Sequence, residues 1–461
     1  MIIGVTGNSG SGKTMLSNLL KKEYDAYLID ADETVKSLSI PGGNYYNEIV
    51  KKFGNSILLE SGKIDKTKLA DIIFNDSIKR ESLNTITFKY IVEEIKRMVS
   101  LSNAKMIIID APLLIESNLD KICDVVISVI ADDNIKQERI CIRDNIDKSK
   151  ALARINAQPE NDYYIKNSNY VIINNEENFL EEQIDSIKEI LESDAVKSKE
   201  VVIIQNKDLR IIEFKRLLEY KNELVHAFTI KPFDFGSNET YRNIKDKVND
   251  NYNIVCNFLN INNNNIIRPK QTHTNNIQEV KNETGIFNKD FINIDGLITK
   301  EKNKVLSLVY ADCTPIYLYD KSKKIVGNIH SGWQGTTKKI SKEAVRFMKE
   351  KLGSNPEDII CIIGPTIRKC HFEVKKDVRD IFYETFKYMD DIDDIIKNNK
   401  KNDSFNIDTV RINKKLLEEE GVLQHNIIDS KICSVCNSKI IHSYRKEGIN
   451  AGRSTSLICL I

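Results

Sequence analysis

The sequence predicts two successive domains, of which the first is an α/β domain with a parallel sheet flanked by helices. A glycine-rich loop at residues 7–14 lies between a short apolar strand and an amphipathic helix. Later apolar strands end in carboxylates, which is typical of the ligand-binding edge of a parallel sheet. A polar stretch without periodicity, residues 192–199, precedes a new apolar strand at residues 201–204. We therefore expect domains at residues 1–195 and 200–461.

The overall composition predicts ordinary globular cores and gives no sign of a nucleic-acid partner. The chain has 461 residues, 41% hydrophobic content and a formal net charge of +1, so no global field marks it as a nucleic-acid binder. The nine cysteines form no disulfide framework, which indicates free thiols in a reducing compartment. Neither a transmembrane span nor the basic region of a signal peptide is evident. We expect a cytoplasmic protein that binds neither nucleic acid nor membrane.

The glycine-rich loop fits the pattern G-x-x-x-x-G-K-[ST] of a phosphate-binding loop. Glycines let the backbone N–H groups surround a phosphate, and the following helix N-terminus adds partial positive charge. Lys13 is expected to reach the outer phosphates and the Thr14 hydroxyl to ligate Mg²⁺. The residues expected at the nucleotide are Gly7, Asn8, Ser9, Gly10, Ser11, Gly12, Lys13, Thr14 and Met15.

Three aspartates follow predicted strands of this domain. Asp30 and Asp32 directly follow a predicted strand at residues 25–29. At this edge of the sheet, one of them would accept a proton from a substrate hydroxyl. The alternative is that either residue caps the next helix. Asp110 ends the apolar strand 105–110 and would face Mg²⁺, an arrangement that resembles the Walker-B strand.

A charged helical stretch at residues 134–157 is the candidate for a lid. Arg139 and Arg143 lie one turn apart and share a face of the predicted helix. In small-molecule kinases, arginines of such a lid hold the transferring phosphoryl group. A solvated surface face is the alternative that the spacing alone leaves open.

These pieces, in their order, resemble the dephospho-coenzyme A kinase family. The matching motifs also include Gly62-Lys63-Ile64-Asp65, Pro112-Leu113-Leu114-Ile115-Glu116, Ala157-Gln158 and Asn169-Tyr170-Val171-Ile172. The resemblance implies ATP-dependent phosphorylation of the ribose 3′-hydroxyl of dephospho-coenzyme A, with Asp32 as general base and Arg139 and Arg143 as lid arginines. It also implies a P-loop kinase fold with a helical insert at residues 41–100.

Two departures from this family concern the insert. The chain has Phe88-Lys89 where the family usually carries His-Pro, and Lys66 where the family usually has Arg. Lys keeps the charge but loses the bidentate geometry of Arg. A kinase of another small metabolite, or an ATP-binding regulatory module, is therefore the alternative for this domain.

In the second domain, two histidines and a cysteine are candidate metal ligands. His273, Cys313 and His330 lie at or near the ends of predicted strands, and His₂Cys is a good donor set for zinc. Their spacings match no local metal signature. A buried cysteine with two hydrogen-bonded histidines is thus the alternative from the residues alone.

The second domain resembles the laccase-domain family of purine nucleoside phosphorylases, also described as polyphenol oxidases. The matching pieces include Asp295-Gly296-Leu297-Ile298-Thr299, Ala311-Asp312-Cys313, His330-Ser331-Gly332-Trp333, Ser443-Tyr444-Arg445 and Gly452-Arg453. The resemblance implies an α+β fold with mixed sheets and His273, Cys313 and His330 as zinc ligands. It also implies phosphorolysis of purine nucleosides, adenosine deamination, and phosphate or substrate contacts by Arg445 and Arg453.

Three further expectations concern this domain. A copper oxidase is the alternative, because His₂Cys sites also suit copper. Gln334 stands where the family often has Arg, and the lost charge could weaken phosphate binding. Cys433-x-x-Cys436 is a single pair, too little for a structural zinc site, and we interpret residues 390–394 with 397–401 as an exposed insertion.

Overall fold

The computed structural model describes residues 1–74, 76–236, 243–282, 285–286, 291–399 and 403–461. The chain divides into two compact units, Met1–Ile184 and Asp185–Ile461. No helix among the described residues has the length and apolar character to cross a membrane.

The first unit is built on a five-stranded parallel sheet in the order β2-β3-β1-β4-β5. Its strands are β1 Ile2–Thr6, β2 Tyr27–Asp30, β3 Ile107–Asp110, β4 Val125–Ile130 and β5 Tyr170–Ile173. Its helices are α1 Lys13–Tyr24, α2 Ala31–Leu38, α3 Asn44–Phe53, α4 Lys66–Phe74, α5 Ser77–Leu101, α6 Asp133–Asp144, α7 Lys148–Asn156, α8 Asn161–Asn167 and α9 Phe179–Glu182. The α/β fold with a parallel sheet is confirmed.

The helical insert has a hydrophobic core of its own. Tyr45, Ile49, Ile57 and Ile86 are buried there between α3, α4 and α5. A separate small core, formed by Ile140, Ala151 and Ile155, holds α6 against α7. The insert and the lid helices are therefore packed substructures that flank the sheet.

The second unit contains three sheets, two of them mixed. The first has the order β6-β7-β8-β21-β13-β9-β11, the second β10-β12-β15-β14-β16-β20 and the third β17-β19-β18. The strands are β6 Val201–Asn206, β7 Leu209–Phe214, β8 Leu224–Thr229, β9 Ile266–Arg268, β10 Ile277–Glu279, β11 Gly285–Ile286, β12 Gly296–Thr299, β13 Val305–Tyr310, β14 Thr314–Asp320, β15 Ile325–Ser331, β16 Ile359–Ile363, β17 Glu373–Val374, β18 Ile396–Asn399, β19 Ser404–Ile407, β20 Ile427–Asp429 and β21 Ser454–Leu460.

Helices cover the second sheet on one face, where Ile316, Leu318 and Ile329 pack against Val345 and Leu417. The helices are α10 Ile184–Glu192 at the division between the units, α11 Lys215–Leu218, α12 Asn243–Phe258, α13 Trp333–Thr337, α14 Ile340–Leu352, α15 Lys376–Phe386, α16 Ile392–Ile395, α17 Thr409–Glu419 and α18 Tyr444–Glu447. The α+β class with mixed sheets is confirmed.

Two stretches differ from the sequence interpretation. In the segment interpreted as a linker, Ala195 and Val196 are fully buried, and the N–H of Ala195 donates to Oδ1 of Asn437 (2.9 Å). In the stretch interpreted as an exposed insertion, Asp390, Asp393, Asp394 and Lys397 are exposed, whereas Ile392 and the neighbouring Ile395 are buried in a hydrophobic cluster. In both stretches only one or two apolar residues stand between charged ones. Such short runs have no helical or strand periodicity, so the sequence did not predict their burial. Lys400 and Lys401 lie outside the described residues.

Candidate functional site

In the first unit, the glycine-rich loop joins β1 to α1, as the motif requires. Gly12 caps α1 with φ 103°, a conformation that L side chains rarely adopt. A Cβ at this position would lie 2.4 Å from Nδ2 of Asn174, whose amide donates to the Ser11 carbonyl (2.8 Å). The loop conformation is therefore held from β5 and admits no larger residue at this glycine.

The segment before α8 also fixes the loop. The Ser9 N–H donates to Oε1 of Gln158 (2.8 Å), and Nδ2 of Asn8 donates to the carbonyl of Pro159 (2.9 Å). These contacts give the Ala157-Gln158 motif a structural role that its sequence position did not indicate.

Asp110 lies beside the start of α1. Burial raises the pKa of the Asp110 carboxyl, while hydrogen bonding to Thr14 and the charge of Lys13 act in the opposite direction. Its Oδ1 is buried and has no hydrogen-bond partner among the described residues. A carboxylate oxygen left unpaired next to a threonine hydroxyl is a fitting donor set for Mg²⁺. The structure thus brings Lys13, Thr14 and Asp110 together.

The structure separates the roles of Asp30 and Asp32. Oδ1 of Asp30 accepts from the Glu33 N–H (3.0 Å), so Asp30 is the N-cap of α2. The Asp32 side chain is exposed and lines a cavity of about 940 Å³. The alternative of a helix cap is therefore correct for Asp30. Asp32 is not the cap, and its side chain lines the cavity.

The cavity beside Asp32 is lined by the insert on its other side. Lys63, Lys66, Phe88 and Asn84 contribute to this wall. The two departures from the family pattern, Lys66 and Phe88, both line this cavity, so they alter the surface that a second substrate would contact.

The two lid arginines differ in their surroundings, although both line a small cavity with Gly10, Gly12, Lys13, Thr14 and Met15. Nη1 of Arg139 donates to the carbonyl of Asn174 (2.9 Å), and Nη2 donates to that of Glu176 (3.1 Å). Arg143 is exposed, forms an ion pair with Asp144 (2.8 Å) and donates to Oγ of Ser9 (3.3 Å). Arg139 is therefore held by backbone carbonyls beside the loop, whereas Arg143 is exposed and, among the described residues, is held only by side chains.

In the second unit, the structure brings His273, Cys313 and His330 together. Their donor atoms all lie within 4.8 Å of one another, and Nε2 of His273 is 3.7 Å from Sγ of Cys313. Zinc bonds of about 2.3 Å to sulfur and 2.05 Å to nitrogen place such atoms about 3.6 Å apart in a tetrahedron. The donor set and its spacing fit a zinc ion with a fourth position left open.

Asp295 orients two of these ligands. Its Oδ1 lies 2.8 Å from Nδ1 of His330 and 3.1 Å from the backbone N of His273. A carboxylate on Nδ1 fixes the tautomer and leaves Nε2 for a metal. The sequence analysis quoted Asp295 in a motif but assigned it no role, because its contact with His330 depends on the pairing of β12 with β15.

Charge couples Cys313 to His330. Burial alone would raise the pKa of the Cys313 thiol, but the charge of His330 and a hydrogen bond from His273 outweigh it and lower the pKa to about 6. Burial alone would lower the pKa of His330, but the Cys313 thiolate and Asp295 outweigh it and raise the pKa to about 9. Cys313 is therefore disposed to be the thiolate that metal binding requires.

A cavity of about 480 Å³ opens at His273, Cys313 and His330. Trp333, Phe372, Tyr444, Arg445 and Arg453 contribute to its wall. An ion-binding group surrounded by aromatic rings and two guanidinium groups suits a ligand with a flat apolar part and an anionic part. Gln334 follows Trp333 in α13, and it is the tryptophan that lines the cavity.

The arginines of this cavity are positioned by backbone carbonyls. Nη1 of Arg445 donates to the carbonyls of His371 (2.7 Å) and Glu373 (3.1 Å), and Nη1 of Arg453 donates to that of Gly452 (2.9 Å). A guanidinium group carries five N–H donors, and these contacts use only the donors on Nη1. The other N–H groups of each arginine can therefore contact a ligand in the cavity.

Asp312, next to the candidate ligand Cys313, connects three segments of the chain. Its Oδ1 accepts from the hydroxyls of Ser434 (2.6 Å) and Ser443 (2.7 Å), and its Oδ2 accepts from the backbone N–H of Arg445 (2.6 Å). Asp312 has a φ of 84°. The sequence analysis did not single out this carboxylate, because its partners are far away in the sequence.

The folds and sites define a P-loop kinase-like unit followed by a mixed α+β unit with a His₂Cys cluster that could hold a metal ion. Residues 1–179 match the family model for dephospho-CoA kinase, and residues 231–461 match the family model described as multi-copper polyphenol oxidoreductase laccase. The chain belongs to both families, as a fusion of an N-terminal dephospho-CoA kinase domain with a C-terminal laccase-family domain.

Individual relatives match each half. A dephospho-CoA kinase of Fusobacterium nucleatum is 39% identical over 176 residues, which are 38% of this chain and 90% of that relative. The purine nucleoside phosphorylase YlmD of Bacillus subtilis is 29% identical over 265 residues, which are 54% of this chain and 93% of that relative. The crystal structure of the hypothetical protein YfiH of Bacillus licheniformis aligns with a TM-score of 0.49 at 27% identity, covering 54% of this chain and 96% of that one.

Proposed function

We propose that the first unit transfers the γ-phosphoryl group of ATP to the ribose 3′-hydroxyl of dephospho-coenzyme A. The observation that carries the proposal is the placement of Asp32 in a large cavity of the unit whose phosphate loop contains Lys13 and Thr14. The 39% identity to a dephospho-CoA kinase supports the choice of acceptor.

In this mechanism the phosphate loop and Lys13 bind the β- and γ-phosphates of ATP. Thr14 and Asp110 would hold Mg²⁺, which neutralises phosphate charge when bound. Asp32 accepts the proton of the attacking hydroxyl as general base. Arg143 stabilises the charge on the transferring group, and the insert residues Lys63 and Lys66 supply positive charge for the phosphates of the acceptor.

A coupled ADP-release assay on the full chain tests this proposal. Turnover should require ATP, Mg²⁺ and dephospho-coenzyme A, and Lys13→Ala should abolish it. If ATP binds but only another acceptor is phosphorylated, then Lys66 and Phe88 define a different substrate. If no acceptor is phosphorylated, the unit is a regulatory module.

For the second unit, we propose zinc-dependent phosphorolysis of purine nucleosides. The observation that carries this proposal is the His273, Cys313 and His330 set beside Arg445 and Arg453 in one cavity. The likeness to a protein described as a purine nucleoside phosphorylase supports the reaction class.

In the proposed reaction, each group of residues in this site has a separate role. His273, Cys313 and His330 would hold zinc, which supplies Lewis-acid chemistry when bound. Arg445 and Arg453 bind and orient the phosphate, and Trp333 and Phe372 contact the flat purine. Asp295 keeps His330 in the tautomer that leaves Nε2 for the metal.

Two measurements test this second proposal. Chromatography should show free base formed from inosine or adenosine only when phosphate is present, with loss of the product in Cys313→Ser. Formation of inosine from adenosine without phosphate would add the deaminase activity. Metal analysis of chain purified without added metal should find zinc; copper together with phenol oxidation would favour the oxidase alternative.

A further inference from the structure

A second group of metal-binding side chains lies outside the catalytic centre of the second unit. Cys370 and His371 are adjacent in sequence, and their donor atoms lie within 4.8 Å of those of Cys433 and Cys436. Cys433 is buried, while Cys370 and Cys436 reach the surface. The sequence showed only the Cys-x-x-Cys pair, because the other two donors come from a distant segment.

The distances between these donors agree with a tetrahedral site. Sγ of Cys370 lies 3.6 Å from Sγ of Cys433 and 3.9 Å from Sγ of Cys436. Nδ1 of His371 lies 3.2, 3.7 and 3.5 Å from the sulfurs of Cys370, Cys433 and Cys436. Zinc bonds of about 2.3 Å to sulfur and 2.05 Å to nitrogen give tetrahedral edges of about 3.8 Å between sulfurs and 3.6 Å between sulfur and nitrogen.

The backbone holds the two halves of the cluster together. The Ser434 N–H donates to the carbonyl of Thr366 (3.0 Å), and the Thr366 N–H donates to that of Ile432 (3.2 Å). The thiols are free, with sulfur separations well beyond the roughly 2.05 Å of a disulfide. The donors are therefore brought together by the fold without a covalent link between them.

We propose that Cys370, His371, Cys433 and Cys436 bind a structural zinc ion. Four protein donors of the type Cys₃His close the coordination sphere, which distinguishes structural from catalytic zinc sites. The soft thiolates exclude Mg²⁺ and Ca²⁺ as natural occupants.

The proposed zinc site lies next to the wall of the catalytic cavity. The carbonyls of His371 and Glu373 accept from Arg445, and Phe372 lines the catalytic cavity. On the other segment, the Ser434 hydroxyl donates to Asp312. A zinc ion that clamps residues 370–371 to residues 433–436 therefore fixes one wall of the catalytic cavity.

Zinc content per chain tests the proposal without any activity assay. The full chain is purified under reducing conditions without added metal, and its zinc is measured by plasma mass spectrometry. We expect two zinc ions per chain, one in Cys436→Ser, one in Cys313→Ser and none in the double variant. Cys141→Ser, a half-buried thiol of the first unit, is the control and should keep two.

The Cys313→Ser variant keeps the proposed site intact, so the test does not depend on folding of a cluster variant. After exchange of its zinc for cobalt, this variant should show strong thiolate-to-cobalt charge-transfer absorption. A Cys313→Ser protein without zinc, or a Cys436→Ser protein that keeps both ions, would overturn the proposal.

Discussion

Oδ1 of Asp295 lies 2.8 Å from Nδ1 of His330, and Oδ2 of the same carboxylate accepts from the backbone N–H of Thr274 (2.7 Å). One buried side chain thus joins a proposed zinc ligand at the end of β15 to the loop that carries His273. Both proposed ligands, His273 and His330, are therefore contacted by this one carboxylate.

Asp295→Asn should therefore weaken zinc binding at the proposed site of His273, Cys313 and His330 by about 10- to 100-fold. The amide keeps the shape but removes the charge that supports the imidazole. Competition with a chromophoric chelator measures the affinity, with Asp320→Asn as the control. Asp320 is also fully buried, and its carboxylate accepts the N–H groups of Ser322 and Lys323 in a turn. Equal affinities in the two variants would contradict the assigned role of Asp295.

In the first unit, Asp32→Asn should lower kcat for phosphoryl transfer by about 10²- to 10⁴-fold with little change in ATP affinity. The amide cannot accept the proton of the acceptor hydroxyl. Glu33→Gln, at the neighbouring exposed carboxylate, should leave kcat unchanged. Asp30→Ala should instead lower the free energy of unfolding by about 1 kcal/mol through the lost helix cap. A normal kcat in Asp32→Asn would remove the general-base assignment.

The two lid arginines should respond differently to substitution. Arg143→Ala should lower kcat by about 100-fold without a change in melting temperature, because the side chain is exposed and lines the cavity at the phosphate loop. Arg139→Lys should lower the melting temperature, because Lys cannot span the carbonyls of Asn174 and Glu176. Arg154→Ala is the control, since Arg154 pairs with the same Asp144. Calorimetry and steady-state kinetics of the three variants separate these outcomes.

Because His226 is buried, the free energy of unfolding of the second unit should decrease at acidic pH. Burial lowers the pKa of His226 to about 3, and the Phe214 N–H donates to its Nε2 (2.8 Å), which occupies one of the two ring nitrogens. The unfolded chain takes up this proton below about pH 6.5, whereas the folded unit does not. The stabilisation is therefore complete above that pH and falls by up to about 1.4 kcal/mol per pH unit towards pH 3.

Urea unfolding followed by fluorescence measures this effect in one unit only, because Trp333 is the sole tryptophan of the chain. The His226→Gln variant should show a flatter pH dependence than the parent, with both proteins stripped of metal beforehand. Parallel pH profiles would contradict the prediction, because they would show that His226 takes up its proton equally readily in the folded unit and in the unfolded chain.

The sequence predicted what local motifs encode. Lys13, Thr14 and the α/β fold follow from one continuous loop between a strand and a helix, and Asp110 follows from the end of an apolar strand. The set of His273, Cys313 and His330 required a family resemblance, because its spacing has no local signature. Their convergence in the structure agrees with that expectation, while the roles assigned to them stay proposals.

Contacts between distant segments could not be predicted in this way. The role of Asp295 depends on strand pairing, and the Cys₃His cluster depends on a contact between residues 370–371 and 433–436. The burial of Ala195 and Ile392 has the same origin, since a few apolar residues among charges acquire a partner only in the folded chain.

The hydrogen bonds of Asp312 with Ser434 and Ser443 should restrict how these three positions evolve. Its Oδ1 accepts from the hydroxyls of both Ser434 and Ser443, so the loss of the carboxylate leaves two buried hydroxyls without this acceptor, and the loss of either serine removes one hydrogen bond from the carboxylate. Substitutions at these positions should be strongly epistatic, and a double change should cost less than the sum of the single ones. Among diverging relatives, residues 312, 434 and 443 are therefore expected to be exchanged as a set.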